Sequence, residues 1–183
     1  GADVHGATLG IIGMCRIGQA LALRANGFSM LVVYHNRSRV APEIEAELGA
    51  QYLSKADLLQ QADHVVLVVP YSAQSHHTIG AAELALMKRT ATLTNIARGG
   101  IVDDGALAEA LHEGRIAAAG LDVFEGEPNV HPRLLSAPSV VLTPHIASAT
   151  DSTSGDGEPC RRQPHCRAWR GPQCGPAGQS DQP

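Results

Sequence analysis

Two kinds of chemistry can be read in short, glycine-flanked stretches of this chain. The first is anion binding. Gly13-Met14-Cys15-Arg16-Ile17-Gly18 follows a short apolar run and opens an Ala- and Leu-rich segment. A strand–turn–helix of this kind aims backbone N–H groups and the positive end of a helix dipole at a phosphate. Gly13 permits the tight turn and Gly18 the close packing of helix on strand, as the first and third glycines of a dinucleotide fingerprint do. Cys15 stands where the middle glycine belongs, and its Cβ and sulfur crowd the approach of a pyrophosphate. If that position also needs a glycine-type backbone, strain adds about 1–3 kcal/mol.

The second is carboxylate and proton chemistry. Arg98, Glu127 and His145 each stand in a loop beyond a different apolar run. A guanidinium is a planar, always-charged fork that holds a carboxylate in one orientation. An imidazole gives and takes a proton near neutral pH. A carboxylate beside it orients the ring and favours its protonated form. Taken singly, the arginine reads as a loop cation, the histidine as a packing residue and the glutamate as a solvated turn. Their order along the chain is what raises them above that.

The residues after the second apolar run choose the cofactor. An Asp or Glu about 20 residues beyond the glycine turn would bond the ribose 2′-hydroxyl of NAD. The sequence there is Tyr34-His35-Asn36-Arg37-Ser38-Arg39, with no acid. Arg37, Ser38 and Arg39 can grip a 2′-phosphate through charge-assisted bonds. NADP(H) is therefore the expected cofactor, with NAD(H) the alternative.

These loops need a scaffold that brings them together. Short β-rich runs occur at 9–12, 30–34, 64–69, 91–96, 117–123 and 140–143, separated mostly by longer stretches of helical spacing. Between 19 and 25 the chain is rich in Ala and Leu, with Gly27 placed to end a helix. Asp103 or Asp104 can cap a second helix running through Leu111, with Gly114 closing it. Nearly all-apolar strands alternating with helices imply a parallel sheet covered on both faces. The expected fold is α/β, a Rossmann-type doubly wound parallel sheet over residues 1–150. Such sheets bind ligands at the carboxyl ends of their strands, where these loops lie.

Four stretches, taken in order, resemble the D-isomer-specific 2-hydroxyacid dehydrogenase family. They are the first turn, Asn95 through Asp103, Gly120 through Pro128, and Thr143-Pro144-His145-Ile146-Ala147-Ser148. The stretches from Tyr34 to Arg37 and at Ser75-His76-His77 look most like its glyoxylate/hydroxypyruvate reductase branch. The resemblance implies interconversion of a 2-oxo acid and a D-2-hydroxy acid. It places Arg98 as the carboxylate anchor, His145 as the acid/base and Glu127 as the carboxylate that orients it. Gly13, Cys15, Arg16, Ile17, Gly18, Asn36, Arg37 and Ser38 become expected cofactor contacts. So do Val69, Pro70, Ser75, Ile96, Ala97, Arg98, Asp122, His145 and Ala147, with Asp122 near the nicotinamide carboxamide. His76 and His77 read as surface or packing residues.

Bulk properties exclude other classes. A formal net charge of −4 gives no electrostatic reason to expect nucleic acid or an anionic membrane as partner. The longest apolar runs, such as 65–70, are far too short to span a bilayer. No secretory signal opens the chain, so a cytoplasmic enzyme, homodimeric if the parent fold is intact, is expected. Cys15, Cys160, Cys166 and Cys174 have spacings that suit neither a disulfide scaffold nor paired zinc clips, so no metal is expected.

Beyond Thr150 the periodicity stops. Residues 151–183, rich in Gly, Pro, Ser, Gln, Arg and Cys, are expected to be disordered. Family members carry a second, substrate-binding domain built from the first part of the chain and its last helix, and that domain is expected to be absent. Back-translation from Asp151 with a one-base shift of frame can read as a helix resembling the family's missing segment, so a frameshift is the expected origin of the tail. Catalysis is then expected to be weak. Two other functions compete with the enzyme: a corepressor-like module that senses the cofactor, and an inactive cofactor-binding fragment.

Overall fold

The computed structural model describes residues 3–148. The tail expected to be disordered, its frameshift and its three cysteines lie outside the described residues.

Among the described residues seven strands form one parallel sheet. In chain order they are β1 (Thr8–Ile12), β2 (Leu31–His35), β3 (Ala50–Tyr52), β4 (His64–Leu67), β5 (Thr92–Asn95), β6 (Ala118–Leu121) and β7 (Val140–Leu142). Their order across the sheet is β3-β2-β1-β4-β5-β6-β7. The chain runs outward from β1 in one direction, then crosses back to β4 and runs outward in the other. The strand order therefore reverses between β1 and β4, the place where an open α/β sheet leaves a crevice for a ligand. Leu9 pairs with Val32 on one side of β1 and with His64 on the other, so the three strand ends that frame the crevice lie level.

The described helices that connect the strands are α1 (Arg16–Asn26), α2 (Pro42–Leu48), α3 (Lys55–Gln61), α4 (Ala81–Leu86), α5 (Asp104–His112) and α6 (Pro132–Leu135). Alternate residues of β1 enter two different cores, as the two-residue period of a strand requires. Leu9 and Ile11 pack with Ala22 and Ala25 of α1 and Leu48 of α2. Ile12 joins Leu58 and Leu59 of α3 in the larger cluster, which continues through Leu84, Leu93, Leu107 and Leu134. Both faces are thus covered, which is why the strands read as continuous apolar runs.

The helix ends fall where the sequence placed them, with details it left open. Gly27 caps α1 with φ −65°, so it does not use glycine's left-handed freedom. Asp103, not Asp104, is the N-cap of α5, its carboxylate accepting from Ala106 N at 2.9 Å. Gly114 does close that helix with φ +62°. Among the described residues no helix is long and apolar enough to cross a membrane.

Candidate active site

The glycine turn is built as the fingerprint requires at both ends. Gly13 has φ +107°, and a Cβ there would sit 2.8 Å from Val69 Cγ1 and 2.9 Å from the Val68 backbone. A Cβ on Gly18 would collide with Gly13 O, so only glycine lets α1 start this close to the turn. Between them Cys15 is exposed and extended, φ −74° and ψ −175°, as the N-cap of α1. The strain considered from sequence is therefore not present, and only the bulk of the side chain remains as a cost. Its Sγ donates to Val68 O at 3.4 Å, which draws the thiol toward the end of β4.

The turn is pinned from the neighbouring strand. Gly13 N donates to His35 O at 3.0 Å, and Met14 N donates to Asn36 Oδ1 at 3.1 Å. Beside it, Ile12, His35, Asn36, Arg37, Ser38, Lys55, Val69, Pro70, Ser75 and Thr78 line a cleft of about 550 Å³ at the strand-order reversal. Arg37 and Ser38 are exposed on its wall. Arg39, expected to help grip a 2′-phosphate, is engaged by an acid instead. Its Nε and Nη2 fork onto Glu45 at 2.7 and 2.6 Å, and Tyr34 Oη donates to the same carboxylate at 2.6 Å. Arg39 and Tyr34 together hold the Glu45 carboxyl down to about 2. That ion pair secures α2 against β2 instead of facing a ligand.

A second pocket, of about 340 Å³, lies at the ends of β5, β6 and β7. Arg98, Glu127 and His145 line it together with Tyr71, Gly99, Gly100, Phe124, Glu125 and Gly126. Arg98 is placed by Asn95 at the tip of β5, buried at 2% exposure, whose side chain accepts from Ala97 N and donates to Arg98 O, both at 3.1 Å. The guanidinium is exposed and its Nη1 donates to Ala97 O at 2.6 Å. His145 Nδ1 lies 2.9 Å from Glu127 Oε2, and Glu127 Oε1 accepts from Phe124 N at 3.0 Å. The carboxylate is thus fixed to its own loop before it meets the ring. His145 itself has φ +57°, a left-handed backbone uncommon outside glycine.

The pattern of the D-isomer specific 2-hydroxyacid dehydrogenase, NAD binding domain, matches residues 1–147 of this chain. The chain belongs to this family. It is 55% identical over 150 residues to a glyoxylate reductase of Thermococcus onnurineus, covering 82% of this chain and 45% of that protein. It is 52% identical over 155 residues to the glyoxylate/hydroxypyruvate reductase B of Citrobacter koseri, covering 84% and 48%. Among solved structures, a glyoxylate reductase from Paecilomyes thermophila superposes with a TM-score of 0.79 at 46% identity, over 84% of this chain and 46% of that one. The chain therefore spans a little under half the length of these relatives.

Within this dehydrogenase domain several expected contacts lie apart from both pockets. Arg16 and Ile17 are exposed on the first turn of α1, and Ile96 is 38% exposed beyond β5 while Ala97 is buried. Asp122 is buried at 5% exposure, and its carboxylate accepts from Thr143 Oγ1, from Ile146 N at 2.9 Å and from Ala147 N at 2.8 Å. It braces the loop that carries His145, a job the resemblance did not suggest. Asn95, His35 and Lys55 were also passed over as site residues. The Lys55 Nζ donates to Glu83 Oε1 at 2.8 Å and to Thr78 O at 3.1 Å, closing the floor of the larger cleft. Position at the end of an apolar run could have marked His35 and Asn95, whereas Lys55, which opens α3 after the short β3, carried no such signal.

His76 and His77, read as surface or packing residues, stack on each other and face Glu125 on the rim of the smaller pocket.

Proposed function

We propose that this domain binds NADP(H) in preference to NAD(H) and serves the reduction of a 2-oxo acid of the glyoxylate/hydroxypyruvate class to a D-2-hydroxy acid. The observation that carries this reading is the convergence of Arg98, Glu127 and His145 on one pocket, with His145 Nδ1 at 2.9 Å from the Glu127 carboxylate.

The fit to a dinucleotide rests on the cradle at Gly13 and Gly18, which a Cβ at either place would fill. The backbone around Gly13, Cys15 and Gly18 with Arg16 and Ile17 would hold the pyrophosphate. Asn36, Arg37 and Ser38 would hold the 2′ side of the adenosine, and the arginine favours a phosphate there. Val69, Pro70, Ser75, Ile96, Ala97 and Ala147 would flank the remainder. When bound, the reduced nicotinamide supplies the hydride for the substrate's carbonyl carbon.

The protein's own part is to hold the acid and move one proton. Arg98 swings from Ala97 O onto the substrate carboxylate, exchanging a neutral acceptor for a charged one. With Nδ1 turned to Glu127, proton donation to the carbonyl oxygen falls to Nε2 of His145. Glu127 offsets the charge of the imidazolium before donation. Asp122 keeps the His145 loop in place, so the ring does not have to be ordered during the reaction.

The 183 residues by themselves are expected to turn over slowly, because Arg98 is exposed and the pocket opens to water, where charge stabilisation weakens. A cytoplasmic setting and a homodimeric parent belong to the same proposal. Leu135 of α6 and Val141 of the edge strand β7, each 66% exposed, are apolar surface that a second copy would cover. The test is single-turnover reduction of hydroxypyruvate by NADPH with stoichiometric protein. Slow formation of the D-hydroxy acid, abolished in His145→Gln, is expected. An unchanged rate in His145→Gln would contradict the reading, and steady-state turnover near the ~10 s⁻¹ of an ordinary enzyme would contradict the expected slow turnover.

A further inference from the structure

His76, His77 and Glu125 each offer one metal-ligating atom, and the three atoms lie within 4.8 Å of one another. Their arrangement is specific. His77 Nε2 is 2.9 Å from Glu125 Oε2, and His76 Nε2 is 4.0 Å from Glu125 Oε1. Side chains of consecutive residues in extended chain point to opposite sides. Here His77 adopts φ +48°, which folds its ring back onto that of His76, with centroids 3.8 Å apart and planes at 21°. That backbone is uncommon for a non-glycine residue and persists where its surroundings hold it. His77 N donates to Gly100 O at 2.8 Å and His76 N to Ser72 O at 3.0 Å.

The second ring nitrogens are also addressed. Tyr71 Oη lies 3.3 Å from His76 Nδ1, and Asp103 Oδ2 lies 3.9 Å from His77 Nδ1. A metal-bound imidazole characteristically presents its other nitrogen to a carboxylate or another oxygen, which fixes ring orientation and raises ligand basicity. Both Nε2 atoms then face the same carboxylate.

We propose that His76 Nε2, His77 Nε2 and the Glu125 carboxylate form a binding site for a divalent transition metal, Zn²⁺ first among them. Two imidazoles and one carboxylate suit zinc, and three protein ligands leave a fourth position for water. The three ligand atoms lie within 4.8 Å of one another, and closing them on one ion at about 2.0–2.2 Å requires the rings of His76 and His77 to rotate toward the Glu125 carboxylate. The site joins the segment after β4 to the loop after β6, and Glu125 lines the pocket shared by Arg98 and His145. A bound ion therefore clamps two walls of that pocket. The inference stands on this cluster alone and not on the proposed reaction.

The full chain is titrated with ZnCl₂ by calorimetry and with CoCl₂ by absorption. Cys160, His165, Cys166 and Cys174 are kept in every variant, so binding by those residues is common to all. One site lost or weakened at least tenfold in His76→Ala and in His77→Ala is expected. So is a cobalt spectrum of nitrogen and oxygen ligands without a thiolate charge-transfer band. Because the His76 ring is exposed, His76→Ala keeps the fold even if His77→Ala does not. Equal affinity in wild type and His76→Ala, no binding in wild type, or a cobalt spectrum showing thiolate ligation alone would overturn the proposal.

Discussion

At position 15 the question is steric, not conformational. A φ of −74° is open to any residue, so replacing Cys15 with glycine relieves no backbone strain and loosens the unfolded chain slightly. Removing the thiol instead opens the approach to the first turn of α1. Cys15→Gly is expected to tighten NADPH binding about tenfold, roughly 1.4 kcal/mol, with little change in melting temperature. Calorimetric titration of both proteins checks it, and equal affinities would show that the sulfur does not obstruct the ligand. Asp122 makes the opposite case, a residue whose worth is structural. Asp122→Ala strands the hydroxyl of Thr143 and the amides of Ile146 and Ala147. A loss of about 3 kcal/mol is expected in urea unfolding. An unchanged midpoint would mean that the His145 loop does not depend on it. The sequence singled out Arg98, Glu127 and His145 by their order beyond successive strands and by the family resemblance, since each residue alone reads as an ordinary loop side chain. It could not show Arg39 spent on Glu45, since that pairing depends on how α2 folds back onto β2.

At the scale of elements, the apolar runs disclosed β1, β2, β4, β5, β6 and β7 because a doubly covered sheet needs them. The strand β3 was missed: Ala50-Gln51-Tyr52 is three residues long and partly exposed at the sheet edge, so it carries no apolar signature. The short helices α2, α3, α4 and α6 present too few turns for a clear period. The junction of β1 with α1 is testable through Gly18→Ala. Its Cβ would collide with Gly13 O, contact with backbone that no rotamer relieves. Loss of about 2 kcal/mol or more and of NADPH affinity is expected, from thermal unfolding and titration together. A variant as stable and as tight-binding as wild type would mean that the turn can yield.

The start of α5 carries a pH dependence. Burial raises the Asp104 carboxyl from 3.8 to about 6, while the bond it accepts from Glu125 N at 3.0 Å works in the opposite direction. In the unfolded chain the group loses its proton near 3.8, whereas the folded protein retains it until about pH 6. The folded state is therefore favoured below pH 4, and this contribution disappears as pH rises through 6. About two pK units correspond to roughly 3 kcal/mol. Relative to Asp104→Asn, the wild type is expected to lose that amount between pH 4 and pH 7 in urea unfolding. Parallel stability profiles for the two proteins would contradict this.

At the scale of the whole molecule, two of the ligand-sized spaces among the described residues lie at the ends of the strands. One lies where the strand order reverses and carries Arg37 and Ser38; the other lies across β5, β6 and β7 and carries Arg98, Glu127 and His145. One extended dinucleotide would run from the first to the second, with the glycine turn between its ends. The direct measurement is calorimetric titration of the purified chain with NADPH and with NADH. One saturable site is expected, tighter for NADPH than NADH, with that preference lost in Arg37→Ala. A folded protein that binds neither nucleotide, or binds NADH the more tightly, would contradict it.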